Sequence, residues 1–164
     1  MFSIEIETLA RLLIDEARER QLRLVTAESC TGGLVAGAIC AIPGASDVFE
    51  RGFVVYNNRA KQELLGVPGE IIADLGAVSE PVARMMAEGA LENSHAHIAV
   101  AITGVAGPGG GTRMKPVGTV HIATARANHG LHHRQEFFQF ETREEIQLAA
   151  VQSALEAMRE RISR

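Results

Sequence analysis

A chain of 164 residues, 46% apolar, 4% aromatic and without Trp, suits one domain with a core of Ala, Val, Ile and Leu. Its formal net charge of -4 and its few stacking rings exclude the basic, aromatic footprint of a nucleic-acid binder. With only Cys30 and Cys40 and no clean apolar run of spanning length, neither a disulfide framework nor a bilayer-spanning helix is expected. The chain therefore reads as one cytoplasmic domain over residues 1–164, with no membrane partner.

The first residues include Ser3, Glu5 and Glu7 in place of a basic patch and apolar run, so no secretion signal is read there. Ile6, Leu9, Ala10, Leu13 and Ala17 recur at helical spacing with charges on the other faces, which predicts an amphipathic helix. Residues 22–27 predict a short buried strand that runs into Glu28-Ser29-Cys30-Thr31-Gly32-Gly33. Small apolar residues over 34–42 predict a second helix, stopped by Pro43-Gly44. A strand within 49–56 and a short helix through Ala60, Leu64 and Leu65 follow, with Gly66 as its stop.

Ser79 is a good N-cap for a helix from Glu80 to about Leu91. Residues 98–103 predict a compact strand, and 104–116 a glycine-rich loop. Strands over 117–125 and 135–140 flank a turn around Asn128-His129-Gly130. Thr142 starts the last helix with Glu145 at capping-box spacing, and Ile146, Ala149, Ala150, Ser153 and Ala157 share one face. Early alternation of helices and strands and a late hairpin predict an α/β fold: a single layered α/β/α domain with a mixed, mostly parallel sheet.

Three segments carry chemistry. A strand ending in Ser-x-Thr-Gly-Gly before a helix sets hydroxyls beside backbone N–H groups that lack helical partners. Ser29 is then placed to attack a carbonyl while those amides hold the oxyanion, with Gly32 and Gly33 allowing close approach. Taken alone, the same turn reads first as a helix capped by Ser29 or Thr31, since such caps are common. Tyr56 ends a strand, and Lys61 follows five residues later. If buried, Lys61 loses charge readily and serves as a base for Ser29, with Tyr56 relaying the proton or holding the lysine; otherwise both are surface residues.

The loop GVAGPGGGTRMKPVG offers successive glycine N–H groups to an anion, but it matches neither the P-loop nor the dinucleotide fingerprint. His95, His97, His129, His132 and His133 lack acidic or thiol partners at ligand spacing, so no metal is expected. Cys30 adjoins Ser29, but no neighbouring feature marks an activated thiol, and a structural role is expected.

Taken together, TAESCTGGLVAGA, IPGASDVFERGFVVYNNRAKQELLGV, GAVSEPVARMMAEGAL and AVAITGVAGPGGGTRMKPVGTVHIA resemble the C-terminal domain family of competence/damage-inducible protein A (CinA). The resemblance is closest to the stand-alone nicotinamide-nucleotide amidase members and spans most of Thr26 to Ala123 in the family's order. It implies hydrolysis of nicotinamide mononucleotide to nicotinic acid mononucleotide and ammonia, with Ser29 as nucleophile, Lys61 as base and Tyr56 completing the catalytic set.

It further implies that Thr31, Gly32 and Gly33 line the carbonyl side. Thr103, Gly104 and the glycine loop, including Gly107 and Gly109, would contact the nucleotide, and Arg143 its phosphate or ribose. No cofactor is implied, and a homo-oligomer is. Two positions depart from the family pattern: Glu141-Thr142 stands where Gly-Asp is usual, and Gln147 replaces a second arginine. The alternative reading is a non-catalytic nucleotide-binding module linked to competence or damage responses.

Overall fold

The computed structural model describes all of residues 1–164. Helix α1 spans Ile4–Glu19, strand β1 Leu24–Glu28, helix α2 Leu34–Cys40 and strand β2 Phe49–Val54. Helices α3 (Asn58–Leu65), α4 (Gly69–Leu75) and α5 (Glu80–Glu92) follow in succession. Strands β3 (Ile98–Gly104), β4 (Thr119–Arg126) and β5 (Gly130–Phe137) precede the last helix, α6 (Arg143–Ser163).

The five strands form one sheet in the order β2-β1-β3-β4-β5. Strand β1 pairs in parallel with β2 and β3, while β3–β4 and β4–β5 are antiparallel. The expected mixed sheet is thus present, with β4 alone running against the other strands. The antiparallel half forms because β3, β4 and β5 follow one another without an intervening helix, whereas α2 to α5 return the chain between the parallel strands.

Period-two alternation sorts the strands' side chains onto two faces. Leu24, Ile98, Val100, Ile102, Val120 and Ile122 pack beneath α1, α2 and α6. Val25, Ala27, Ala99, Ala101, Ala123 and Ala125 pack against α3, α4 and α5. The alanines let α5 lie close to the sheet, and Gly89 lets it lie close to the end of α3, where a Cβ would stand 2.0 Å from the Leu65 carbonyl oxygen.

Local signals hold at the helix ends. Ser3, Asn57, Ser79 and Thr142 all cap helices with their side chains, and Thr142 and Glu145 form the full capping box. The sequence reading missed α4, a seven-residue helix with no side-chain cap to announce it. It also placed β5 too late: the strand starts at Gly130, not residue 135. Its LHHRQE stretch lies on a sheet edge, where polar side chains satisfy solvent and no apolar run marks the strand. No helix is long and apolar enough to cross a membrane.

One packing detail predicts acid sensitivity. His121 on β4 faces α5, with its Nδ1 2.9 Å from His133 Nε2, and His133 Nδ1 lies 3.4 Å from Glu80 Oε1. Burial, then the neighbouring His133 and Lys115, lower the His121 pKa from 6.5 to about 4 despite Glu80. The unfolded chain therefore binds more protons between those values, so stability present above pH 6.5 is lost as pH falls to about 4. Its cause is proton uptake by the unfolded imidazole that the buried one resists. Urea midpoints across that window should fall less steeply for His121→Phe than for the wild type; equal slopes would remove His121 as the cause.

Candidate active site

The parallel part of the sheet positions the site. Strand β1 has β2 on one side and β3 on the other, so the chain's path reverses beside β1 and opens a crevice at the strands' carboxyl ends. Ser29 follows β1, Val55 and Tyr56 follow β2, and Thr103-Gly104 end β3. Residues distant in sequence therefore meet at one edge of the sheet.

The Ser29 N–H donates to the Ile102 carbonyl, extending the β1–β3 ladder by one rung. The chain then turns into α2 through Gly32 at φ 55° and Gly33 at φ 100°, left-handed conformations that a glycine adopts without strain. Neither Ser29 nor Thr31 caps that helix, and Gly33 at the N-cap has no side chain to do so. The carboxylate of Glu28, fully buried, takes the place of a cap. It accepts from the Thr31 hydroxyl at 2.7 Å, the Val35 N–H at 2.8 Å and the Ala36 N–H at 3.0 Å.

This corrects the expectation that the first amides of α2 stand free for an oxyanion: Glu28 already occupies two of them. Thr31 is likewise turned inward to the carboxylate and fully buried, so it does not line the carbonyl side. Gly32 and Gly33 shape the turn but are absent from the cleft wall. The N–H groups of Cys30 and Thr31 have no main-chain acceptor.

Lys61 lies one turn into α3 with 1% of its surface exposed. Its Nζ donates to Ser29 Oγ at 2.9 Å, to the Val55 carbonyl at 3.0 Å and to the Tyr56 carbonyl at 3.3 Å. The Ser29 hydroxyl can itself donate to the Tyr56 carbonyl at 3.3 Å. Burial holds the Lys61 pKa below the usual lysine value, with no carboxylate among its causes to restore it.

Tyr56 meets Ser29 and Lys61 through its main-chain carbonyl. Its ring is largely exposed, and its hydroxyl accepts from Arg143 Nη2 at 2.7 Å, away from the Ser29–Lys61 contact. Of the two expected roles, relaying the proton or holding the lysine, the contacts match the second, made by the Tyr56 carbonyl and not by the phenol. The strand leaves β2 with the Tyr56 ring pointing outward, and that direction follows from register, which composition does not reveal.

A cleft of about 290 Å³ opens over Ser29 and Lys61. Its far wall includes Thr103, Gly104, Gly107 and Gly109, and Arg143 reaches over it from α6. Arg143 Nη1 donates to the Gly107 carbonyl at 2.7 Å, so the glycine loop and Tyr56 together fix the guanidinium at the cleft mouth. Thr103 donates its hydroxyl to the Ala77 carbonyl at 2.9 Å. A Cβ at Gly104 would lie 2.8 Å from the Thr119 carbonyl oxygen, so this glycine allows β3 and β4 to stay paired at the rim. Gln147, at the position where the family pattern has an arginine, donates to the Cys30 carbonyl at 3.0 Å and ties α6 to the serine turn.

Cys30 also lines the cleft, but burial pushes its pKa up to about 12 and keeps the thiol protonated. No three His, Cys, Asp or Glu side chains converge as a ligand set for a metal. Sequence reasoning missed Glu28, the Val55 carbonyl, and Asn58, Ala77 and Val78 on the cleft wall. Glu28 had one available signal, an acidic residue closing an otherwise buried strand.

Residues 6–162 match the sequence model of the CinA C-terminal domain. A putative competence-damage inducible protein of Caldicellulosiruptor bescii is 49% identical over 125 residues, 76% of this chain and 30% of that protein. A CinA-like protein of Syntrophus aciditrophicus is 46% identical over 155 residues, 94% of this chain and 37% of that protein. The chain thus spans about a third of the length of these curated relatives. The crystal structure of the competence/damage inducible protein CihA from Agrobacterium tumefaciens superposes with a TM-score of 0.96 at 48% identity. That match covers 100% of this chain and 99% of the other.

Proposed function

The chain belongs to the CinA C-terminal domain family, and from that premise we propose that it hydrolyses the carboxamide of nicotinamide mononucleotide to nicotinic acid mononucleotide and ammonia. The observation that carries this reading is the buried Lys61 Nζ, 2.9 Å from Ser29 Oγ and held there by two main-chain carbonyls. Nucleotide binding alone has no use for a desolvated amine against a serine hydroxyl.

The chemistry follows from that geometry. When Lys61 is neutral, the Val55 and Tyr56 carbonyls engage its two N–H bonds and leave the lone pair facing Ser29. The hydroxyl proton turns from the Tyr56 carbonyl to Nζ, and Oγ attacks the carboxamide carbon. The tetrahedral oxyanion is stabilised by the Cys30 N–H, which has no main-chain acceptor and belongs to a residue on the cleft wall. Collapse expels ammonia, which takes the proton from Lys61, and leaves an ester on Ser29. Water then attacks the ester, gives its proton to Lys61, and releases the acid as the proton returns to Oγ.

Arg143 and the amides of the glycine loop supply positive ends for the nucleotide's phosphate at the far side of the cleft. Removal of the phosphate should therefore weaken catalysis. Ammonia release, measured with chelator present, should give a kcat/KM for the mononucleotide at least about tenfold above that for nicotinamide riboside. Nicotinamide should be poorer still. A folded protein that binds the mononucleotide by calorimetry but releases no ammonia from any of the three would be a binding module instead.

A further inference from the structure

Strand β1 ends in a buried carboxylate directly before the nucleophile. Its three acceptor contacts are the Thr31 hydroxyl and the Val35 and Ala36 N–H groups, and all three donors lie on the turn or on α2. The main chain of the same residue faces the other partner. The Glu28 carbonyl accepts from the Val55 N–H at 2.8 Å, and the Val55 carbonyl accepts from Lys61 Nζ at 3.0 Å. Residue 28 therefore holds both sides of the Ser29–Lys61 contact from behind, whereas the Tyr56 carbonyl touches the two side chains directly.

We propose that Glu28 is a positioning residue for the dyad: its carboxylate sets the serine turn in the register that brings Ser29 Oγ to Lys61 Nζ. This rests on the reading of Ser29 as nucleophile. Without the carboxylate, the turn keeps the Gly32-to-Ser29 and Leu34-to-Thr31 main-chain bonds and the Gln147 contact, but nothing ties Thr31 inward. Two successive residues with left-handed φ then leave the turn free to shift, and displacement of about 1 Å at a reacting atom lowers rate by about a hundredfold. Glu28 itself touches no cleft space, so substrate affinity is not its task.

Glu28→Gln is the informative change. It keeps the size, but an amide NH2 must then oppose either the Ala36 N–H or the Thr31 and Val35 donors, an arrangement of donor against donor. Thr31→Val removes one donor and retains shape, and Thr31→Ser restores the hydroxyl.

The test pairs steady-state kinetics on nicotinamide mononucleotide with calorimetric titration of the same samples, which counts competent sites. Glu28→Gln should bind with full stoichiometry and a dissociation constant within about threefold of wild type, while kcat per site falls about 10- to 100-fold. Thr31→Val should lose about 3- to 10-fold in kcat, and Thr31→Ser should recover most of it. A purely structural cap would instead lower stoichiometry and leave kcat per occupied site unchanged, and that result overturns the proposal. Should Glu28→Gln not fold, an unchanged kcat per site in Thr31→Val overturns it alone. If the wild type releases no ammonia, the nucleophile reading fails, and the proposal with it, before any variant is compared.

Discussion

Ser29→Ala should lose about ten-thousandfold or more in turnover of nicotinamide mononucleotide, with its dissociation constant within about threefold of the wild type. The size follows from what the hydroxyl does: without Oγ there is no ester, and the only remaining route is direct attack of water. Binding survives because the groups expected to hold the nucleotide, Arg143 and the glycine loop, do not depend on Oγ. Arg143 keeps its bonds to Gly107 and Tyr56, and Lys61 keeps both carbonyl partners. Ammonia release and calorimetry on one preparation measure both quantities. Activity within tenfold of the wild type would sink Ser29 as nucleophile. The neighbouring thiol offers no rescue near neutral pH, since burial holds it protonated up to about 12.

Lys61→Arg should be nearly as severe, with a loss of about a thousandfold or more, and should also abolish the acid limb of the pH profile. Burial moves the Lys61 pKa below its usual value, so the neutral amine is reached at lower pH than in an exposed lysine. Wild-type kcat/KM should therefore rise with pH through the lowered lysine pKa and level off above it. A guanidinium stays charged throughout that range and offers no lone pair, so it cannot take the proton from Ser29. The pH profile distinguishes this cause from simple misplacement: a residual rate that still climbs with the wild-type midpoint would assign the base to another group. The same shift carries a stability consequence. The unfolded lysine binds its proton at pH values where the folded one has lost it, so stability contributed by this group rises with pH across that window.

The sequence and the structure agree most closely where the physics is local. Thr142 and Glu145 form their capping box because every partner lies within one turn. Buried Ile98, Val100 and Ile102 alternate with Ala99 and Ala101 because a pleated strand must present two faces. Helix α4 and the start of β5 were missed because neither a short uncapped helix nor a polar edge strand is announced by a run of apolar side chains.

The site divides in the same way. Ser29 before two glycines, Lys61 five residues after Tyr56, and a glycine loop after a strand are local patterns, and the sequence determined them along with the fold class. Tertiary structure decided how those parts face one another. It turned the Tyr56 ring out to Arg143 and its carbonyl in to Lys61, turned Thr31 away from the cleft, and spent the first amides of α2 on Glu28. Each outcome depends on strand register and on contacts between residues tens of positions apart. A one-residue change of register sends a side chain to the opposite face, and the spacing of residues along a chain carries no record of which face the finished sheet selects.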